Sequence, residues 1–163
     1  MPADQRIAQY VDIVTSTGMF NGEEVAVLEE ILNDYYTNPK TTYVLFDTVK
    51  DGITVGFVFF GKTPLTERCW DIYWIAVRGH CQGKGYGMEL LKRAEQYILN
   101  HDGNAVIRIE TSTRKQYDQA RRLYERQGYR EAGRIPAFYG CDDDLVIYYR
   151  GVEQESLNPG DEQ

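Results

Sequence analysis

Residues 75 to 87 decide the fold, and they read Ile75-Ala76-Val77-Arg78-Gly79-His80-Cys81-Gln82-Gly83-Lys84-Gly85-Tyr86-Gly87. An apolar run typical of a buried strand leads into a glycine-rich turn, after which apolar residues return at helical spacing. Glycines lack a Cβ, so a ligand can approach the backbone closely. The first N–H groups of a helix have no partner inside it, and the helix dipole is positive there. The stretch therefore predicts a strand, turn and helix that bind an anion such as a diphosphate.

Two other phosphate-binding loops are excluded by spacing. A Walker loop would need glycine at position 78 and serine or threonine at position 85, which hold Arg78 and Gly85. A dinucleotide fingerprint that starts at Gly83 would need glycine or alanine at position 88, which is Met88. Nucleotide hydrolysis and hydride transfer are therefore not indicated. A tight turn without a ligand stays open as the alternative at this point.

The hydrophobic pattern predicts two helices, three strands, a helix, a strand, a helix and two final strands. This order is typical of an α+β or mixed α/β sheet with helices on its faces. Asn21 is predicted to cap the second helix, and Asp51-Gly52 marks a tight hairpin between the first two strands. An irregular loop with the acidic run Asp142 to Asp144 is expected between the last two strands, with the acids facing water. The strands are predicted at 42–46, 53–60, 69–77, 105–110, 129–135 and 145–149.

Length and composition predict one domain. The chain has 163 residues, of which 42% are hydrophobic, so residues 1–150 suit a single compact unit. Residues 151–163 are acidic and lack an apolar period, which predicts a flexible tail. The net charge of −7 and the absence of a basic face argue against nucleic acid as a partner and favour a cationic one.

The cysteines indicate the compartment. Cys69, Cys81 and Cys141 are an odd number without CxxC spacing, and no histidine stands at zinc-ligand spacing. Reduced thiols in the cytoplasm are therefore expected, with no metal site. No stretch approaches the roughly 20 apolar residues that span a bilayer, so no membrane association is expected.

Two motifs resemble the GNAT superfamily of N-acetyltransferases. Gln82-Gly83-Lys84-Gly85-Tyr86-Gly87 is similar to that family's acetyl-coenzyme A signature, and Leu123-Tyr124-Glu125-Arg126-Gln127-Gly128-Tyr129 resembles its second hallmark. The resemblance covers about residues 20 to 150. It implies a six- to seven-stranded mixed sheet with two splayed central strands, direct transfer from acetyl-CoA to an amine, and the capacity to form a homodimer.

The resemblance also implies cofactor contacts. The main chain of Ile75, Ala76 and Val77 would contact the pantetheine arm. The diphosphate would be bound by Gln82, Gly83, Lys84, Gly85, Tyr86 and Gly87. Many members carry an asparagine seven residues before the motif tyrosine, where this chain has Tyr117, so the hydroxyl of Tyr117 is a candidate for that contact.

Three residues are candidates for proton transfer. Tyr124 matches the family tyrosine whose hydroxyl approaches the thioester sulfur, and a phenol can protonate a leaving thiolate. Without the motif, Tyr124 would be interpreted as a packed tyrosine on an apolar helix face. Glu110 and Asp71 resemble two carboxylates used as bases in different members, with Glu110 slightly preferred. Either carboxylate can instead be an ion-pair partner of Arg108 or Arg114.

Taken together, the sequence predicts a cytoplasmic N-acetyltransferase. It would transfer an acetyl group from acetyl-CoA to a primary amine of a protein, peptide or small molecule, in a ternary complex. The alternative is a non-catalytic acyl-CoA-binding sensor or interaction module, which would need the glycine-rich loop but not Tyr124.

Overall fold

The structure is a computed structural model that describes residues 1 to 154. These residues form six strands and four α-helices in the predicted order. The elements are α1 (Ala3–Thr17), α2 (Gly22–Thr37), β1 (Tyr43–Lys50), β2 (Ile53–Lys62), β3 (Cys69–Val77), α3 (Tyr86–Asp102), β4 (Asn104–Ser112), α4 (Asp118–Arg126), β5 (Arg130–Gly140) and β6 (Asp143–Glu153).

Local signals set several element ends. Asn21 caps α2 as predicted, because its side chain accepts from the backbone N–H of Glu24 at 2.9 Å while the Glu24 carboxylate accepts from Asn21 N–H at 2.8 Å. Asp51 and Gly52, both at positive φ, turn β1 back onto β2. At the C-terminal end of α3, Gly103 adopts a left-handed conformation and ends the helix.

The six strands form one mixed sheet in the order β1-β2-β3-β4-β6-β5. All neighbours are antiparallel except β3 and β4, which are parallel. Those two strands pair only from Cys69 opposite Val106 to Ile72 opposite Ile109. Beyond that point β3 continues to Val77 along β2, and β4 continues to Ser112 along β6. The two central strands therefore separate toward their carboxyl ends, as the resemblance implies.

A β-bulge accompanies this separation. Phe59 of β2 pairs with Trp74 of β3, but the next β2 residue, Phe60, pairs with Ile72. Tyr73 is therefore left outside the regular pairing. A bulge adds one residue on one strand and increases the local twist. The strand is thus reoriented at the position where it leaves β4.

Helices cover both faces of the sheet. Alternate residues of β2 point to opposite sides, so Phe57 and Phe59 pack with α1 and α2 while Val58 and Phe60 pack with α3 and α4. The mixed sheet with helices on both faces is confirmed.

The β5–β6 hairpin differs from the predicted loop. β5 extends to Gly140 and β6 starts at Asp143, with an irregular register between Ile135 and Gly140. The expectation that residues 142 to 144 only face water is wrong at Asp143, which is 3% exposed. Its carboxylate forms an ion pair with Arg114 at 2.9 Å and accepts from the Ser112 hydroxyl. A buried carboxylate needs such partners, and they come from other parts of the chain.

The end of the chain also differs from the prediction. β6 continues to Glu153 and pairs with Asn104, so it occupies the first residues of the stretch 151–163 assigned to a tail. Residues 155–163 of that stretch lie outside the described residues. Within residues 1 to 154, the helices are all too short or too polar to cross a bilayer.

Candidate active site

A cleft of about 550 Å³ opens between the end of β3, the start of α3 and one face of α4. The end of α1 and the connection between α1 and α2 also line it. Such a volume falls within the range of small-molecule binding sites. The lining residues are Thr17, Met19, Phe20, Ile75, Ala76, Val77, Cys81, Gln82, Gly83, Gly85, Tyr86, Gly87, Met88, Gln116, Gln119, Ala120, Leu123 and Arg126.

The glycine-rich loop presents free backbone donors to this cleft. Gly85 precedes the first helical residue with φ +89°, and no side chain caps α3. Among the described residues, the backbone N–H groups of residues 83 to 88 donate no hydrogen bond. The side-chain amide of Gln82 donates to the carbonyl oxygen of Val77 at 3.1 Å, which ties the loop to the end of β3. The arrangement is suited to an anion at the N-terminus of α3.

A close approach of two helices shapes one wall. A Cβ at Gly87 would lie 3.3 Å from Cδ2 of Leu123 on α4. The missing side chain lets α4 pack against the first turn of α3. The start of α3 and one face of α4 are therefore neighbours, and both line the cleft.

Eight of the ten predicted cofactor-binding residues line the cleft. Two predicted residues do not. Lys84 is an exposed residue of the same loop, and Tyr117 is half-buried beside Phe20, with 6.1 Å between ring centroids. Burial raises the pKa of Tyr117 to about 12, and nearby Glu24 and Asp143 act in the same direction. The eight lining residues are Ile75, Ala76, Val77, Gln82, Gly83, Gly85, Tyr86 and Gly87.

Several lining residues were not predicted. Phe20 lies between α1 and α2, and its ring packs 5.0 Å from that of Trp74 on β3. Nothing in the sequence indicates this contact, because it depends on how the first two helices pack on the sheet. One sequence signal could have predicted Arg126 as a lining residue. It lies at helical spacing from Leu123, on the face formed by residues 116, 119, 120, 123 and 126.

The separated strands expose one edge of β3. From Tyr73 onward β3 has no pairing with β4, while its other edge stays bonded to β2 as far as Val77. Backbone groups on the open edge are therefore available to a ligand. Ile75, Ala76 and Val77 belong to this segment and also line the cleft.

Tyr124 lies on the buried face of α4 and is 5% exposed. Its ring packs between those of Tyr129 and Tyr148, at centroid distances of 6.2 and 5.9 Å. Burial raises the pKa of the Tyr124 hydroxyl above its usual range. Within residues 1 to 154 this hydroxyl has no hydrogen-bond partner, and Tyr124 is not among the residues that line the cleft.

Carboxylates fix the two tyrosines around Tyr124. The hydroxyl of Tyr129 donates to Glu95 of α3 at 3.0 Å, and that of Tyr148 donates to Glu125 at 2.9 Å. Glu95 is 8% exposed and also forms an ion pair with Arg150 at 2.9 Å. The ring of Tyr124 is therefore held by neighbours that are themselves anchored.

Glu110 is the first β4 residue beyond the last pair with β3, which joins Ile72 and Ile109. Its side chain is 45% exposed and its Oε1 lies 3.8 Å from Nη1 of Arg108. The carboxylate is therefore accessible to solvent next to the point where the strands separate, and Glu110 is not among the residues that line the cleft.

Asp71 lies within the paired part of β3, opposite Arg108. Its side chain is 9% exposed. It accepts two hydrogen bonds from Arg108, at 2.6 and 3.1 Å, and one from the Thr63 hydroxyl at 2.6 Å. The structure thus brings Glu110 to the point of separation and holds Asp71 in an ion pair.

Metal-ligating residues do not cluster in the part of the chain that the structure describes, where no group of three or more His, Cys, Asp or Glu could hold an ion. Cys81 lines the cleft as a buried free thiol.

Comparisons with known proteins agree with this geometry. The model of the acetyltransferase (GNAT) family matches residues 10–129. The chain is 28% identical over 142 residues to the uncharacterized N-acetyltransferase MJ1530 of Methanocaldococcus jannaschii, covering 78% of this chain and 86% of that protein.

Solved structures share the fold. A Desulfovibrio desulfuricans protein described as a GNAT-family acetyltransferase superposes with a TM-score of 0.83 and 33% identity, covering 90% of this chain and 92% of that one. An aminoglycoside 6'-N-acetyltransferase complexed with coenzyme A superposes with a TM-score of 0.69 and 16% identity, covering 92% and 93% of the two chains. At that lower identity the likeness concerns the fold alone.

Proposed function

This chain belongs to the GNAT family and is an acyltransferase, and from that premise we propose that it transfers an acetyl group from acetyl-CoA to a primary amine. One observation carries the proposal. The free N–H groups at the start of α3 and the open edge of β3 face the same cleft. A diphosphate and an extended amide-bearing arm therefore have matching partners side by side.

The glycine-rich loop would hold the diphosphate of acetyl-CoA. Backbone N–H groups of Gly83 to Gly87 would donate to its oxygens, each contributing roughly 1.5 to 3 kcal/mol when the acceptor is charged, while Gln82 lines the same cleft. The backbone of Ile75, Ala76 and Val77 would bind the amides of the pantetheine arm. Lys84 adds positive charge at the rim of the loop, and Tyr117 is a further candidate contact.

The acceptor nitrogen must be neutral to attack. At pH 7 a lysine side chain of pKa 10.4 costs about 4.6 kcal/mol to deprotonate, whereas an α-amino group costs about 1 to 1.4 kcal/mol. A base is therefore more necessary for lysine than for a chain terminus. We assign this role to Glu110, which is open at the separation of the strands. The carboxylate of Asp71 is already engaged by three donors, and we assign it to anchoring Arg108.

The transfer step then follows directly. Glu110 first takes one proton from the ammonium and passes it to water. The neutral nitrogen then attacks the thioester carbonyl, whose oxygen is polarised by a main-chain N–H near Val77. As the carbon–sulfur bond breaks, Tyr124 donates its proton to the departing thiolate, and the second proton lost by nitrogen returns through water to the phenolate left on Tyr124. Burial raises the pKa of Tyr124, so this hydroxyl stays protonated, but it is a weaker acid toward the thiolate than an ordinary phenol.

The class of amine that accepts the acetyl group is the next part of the proposal. Glu110 and the acidic net charge favour a protein or peptide amine, and a polyamine, amino acid or aminoglycoside-like molecule is the competing class within the same chemistry. A cytoplasmic location and a homodimer remain predictions. The competing function is a non-catalytic acyl-CoA sensor, which would use the cleft without Tyr124.

Thiol release from acetyl-CoA tests the proposal. The acceptor panel contains two peptides, a polyamine and an aminoglycoside. One peptide has a free α-amine, and the other has a blocked α-amine and a free lysine side chain. We expect turnover with at least one member. Tight binding of CoA without turnover on any member would favour the sensor, and absence of CoA binding would overturn both functions.

A further inference from the structure

Three aromatic side chains lie together where the cleft meets the α1–α2 connection. Phe20 lines the cleft, and its ring centroid lies 5.0 Å from that of Trp74, the β3 residue directly before Ile75. The ring of Tyr117, the residue before α4, lies 6.1 Å from that of Phe20 in an edge-on arrangement. Phe20 therefore connects β3 with the start of α4, and we call the three rings the aromatic wall.

The short connection that carries Phe20 is held in place. Gly18 ends α1 in a left-handed conformation and Asn21 caps α2, so Met19 and Phe20 alone join the two helix ends. From the α4 side, the side-chain amide of Gln116 donates to the carbonyl oxygen of Met19 at 3.0 Å. The ring of Phe20 is thus fixed by its backbone as well as by the two rings beside it.

The course that we propose for acetyl-CoA leads to this wall. The pantetheine arm starts at the diphosphate, beside Gly85, and follows β3 backwards from Val77 to Ile75. The acyl group is the far end of the arm, and the next β3 residue in that direction is Trp74. Each carbon added to an acetyl group therefore extends the ligand toward the aromatic wall. None of the three rings belongs to β4, the strand that carries the proposed base Glu110.

We propose that Phe20 is a specificity-determining residue that limits the acyl group of the donor to two or three carbons. This inference rests on the proposed function, since it takes the cleft as the acyl-CoA site. A half-buried ring that packs against two others cannot move aside without losing those contacts, so a longer chain finds no space there. A single methylene in an apolar pocket changes selectivity by about 10- to 200-fold.

Calorimetric titration of CoA, acetyl-CoA and hexanoyl-CoA into the full chain tests the inference. The unmodified chain should bind hexanoyl-CoA at least about ten-fold more weakly than acetyl-CoA. Phe20→Ala opens the wall and should bring the two dissociation constants within about three-fold of each other, while that of CoA changes less than two-fold. Phe20→Leu keeps part of the apolar volume and should give an intermediate ratio. With an amine that supports turnover, the ratio of kcat/KM for the two donors should move in the same direction.

Phe46→Ala is the matched control for a general loss of packing. Phe46 of β1 is also half-buried and packs against two rings, those of Phe60 at 5.5 Å and Tyr97 at 5.6 Å, but it lies outside the cleft lining. This variant should lower the melting temperature at least as much as Phe20→Ala and leave the ratio of the dissociation constants unchanged.

Two results would overturn the inference while leaving the proposed function intact. One is equal affinity of the unmodified chain for acetyl-CoA and hexanoyl-CoA. The other is a ratio that Phe20→Ala does not change, or changes no more than Phe46→Ala does. An unmodified chain that does not bind CoA would overturn the proposed function and this inference with it.

Discussion

Arg108 of β4 donates two hydrogen bonds to Asp71 of β3, one at 2.6 Å and one at 3.1 Å, across the parallel pairing that ends at the next residue of each strand. The pair holds the two strands together immediately before they separate. Glu110 follows two residues after Arg108, at the start of the open region. Two candidate carboxylates thus lie on either side of the same boundary, in different environments.

Because their environments differ, substitutions at Asp71 and Glu110 should have different effects on stability and activity. Asp71→Asn removes the charge that Arg108 binds, and we expect it to lower the free energy of unfolding by about 1 to 3 kcal/mol, discounted because Arg108 is 40% exposed. Thermal melts should show the loss, while kcat of the folded protein changes only a few-fold. Glu110→Gln should do the reverse, lowering kcat on a lysine acceptor by about 10- to 100-fold with little change in the melting temperature. A stable Asp71→Asn variant without activity would move the base to Asp71.

The anion site at the start of α3 can be tested by comparing the same substitution at both ends of the helix. Gly85 and Gly103 both have positive φ, and a Cβ at either would meet no atom within 4 Å. Gly85→Glu and Gly103→Glu therefore impose similar backbone strain and the same added charge. We expect only Gly85→Glu to weaken CoA binding, by ten-fold or more, because its carboxylate would stand beside the diphosphate. Equal dissociation constants for the two variants would contradict the assignment of the loop.

Tyr124→Phe isolates the proposed acid. The hydroxyl has no hydrogen-bond partner within the described chain, so its removal should leave the melting temperature nearly unchanged. We expect kcat to fall about 100-fold or more and CoA binding to stay the same. Since burial raises the pKa of Tyr124, the unmodified enzyme should show no alkaline loss of rate from this group up to about pH 10. An unchanged kcat in the variant would remove Tyr124 from the mechanism and leave the cleft assignment standing.

Much of the site could be predicted because its signals are local. Gly85 and the apolar run before it lie in one short stretch whose turn and helix start follow from backbone chemistry. The same holds for Asn21, which caps α2 through a residue three positions away. These elements depend on neighbours in sequence, which a pattern can show.

The parts that were missed depend on distant partners. Asp143 is buried because Ser112, at the end of β4, and Arg114, just after it, supply partners from about 30 residues earlier in the chain. Phe20 enters the cleft because α1 and α2 pack on β3. No spacing in a single sequence encodes either contact, so the sequence alone predicts a solvated acidic run and gives no sign that the α1–α2 connection lines the cleft.

Asp102, at the end of α3, gives the fold an acid-sensitive contact. Its carboxylate accepts from the indole N–H of Trp70 at 2.7 Å and forms an ion pair with Lys62 at 3.1 Å. The Trp70 hydrogen bond, assisted by His101 and Lys62, lowers the pKa of Asp102 from 3.8 to about 2. Because the folded state binds this proton less readily than the unfolded state, the stabilisation is complete above about pH 4 and is lost as the pH falls toward about 2.

Asp102→Asn tests this pH window. Urea unfolding should show a lower free energy of unfolding for the variant at pH 7, and the gap between the two proteins should close between about pH 4 and pH 2. Asp4→Asn, at an exposed position in the first turn of α1, is the control and should show no comparable narrowing. A gap for Asp102→Asn that stays constant down to pH 2 would mean that the indole and ammonium groups stabilise the protonated acid equally well, and the ionic account of this contact would be wrong.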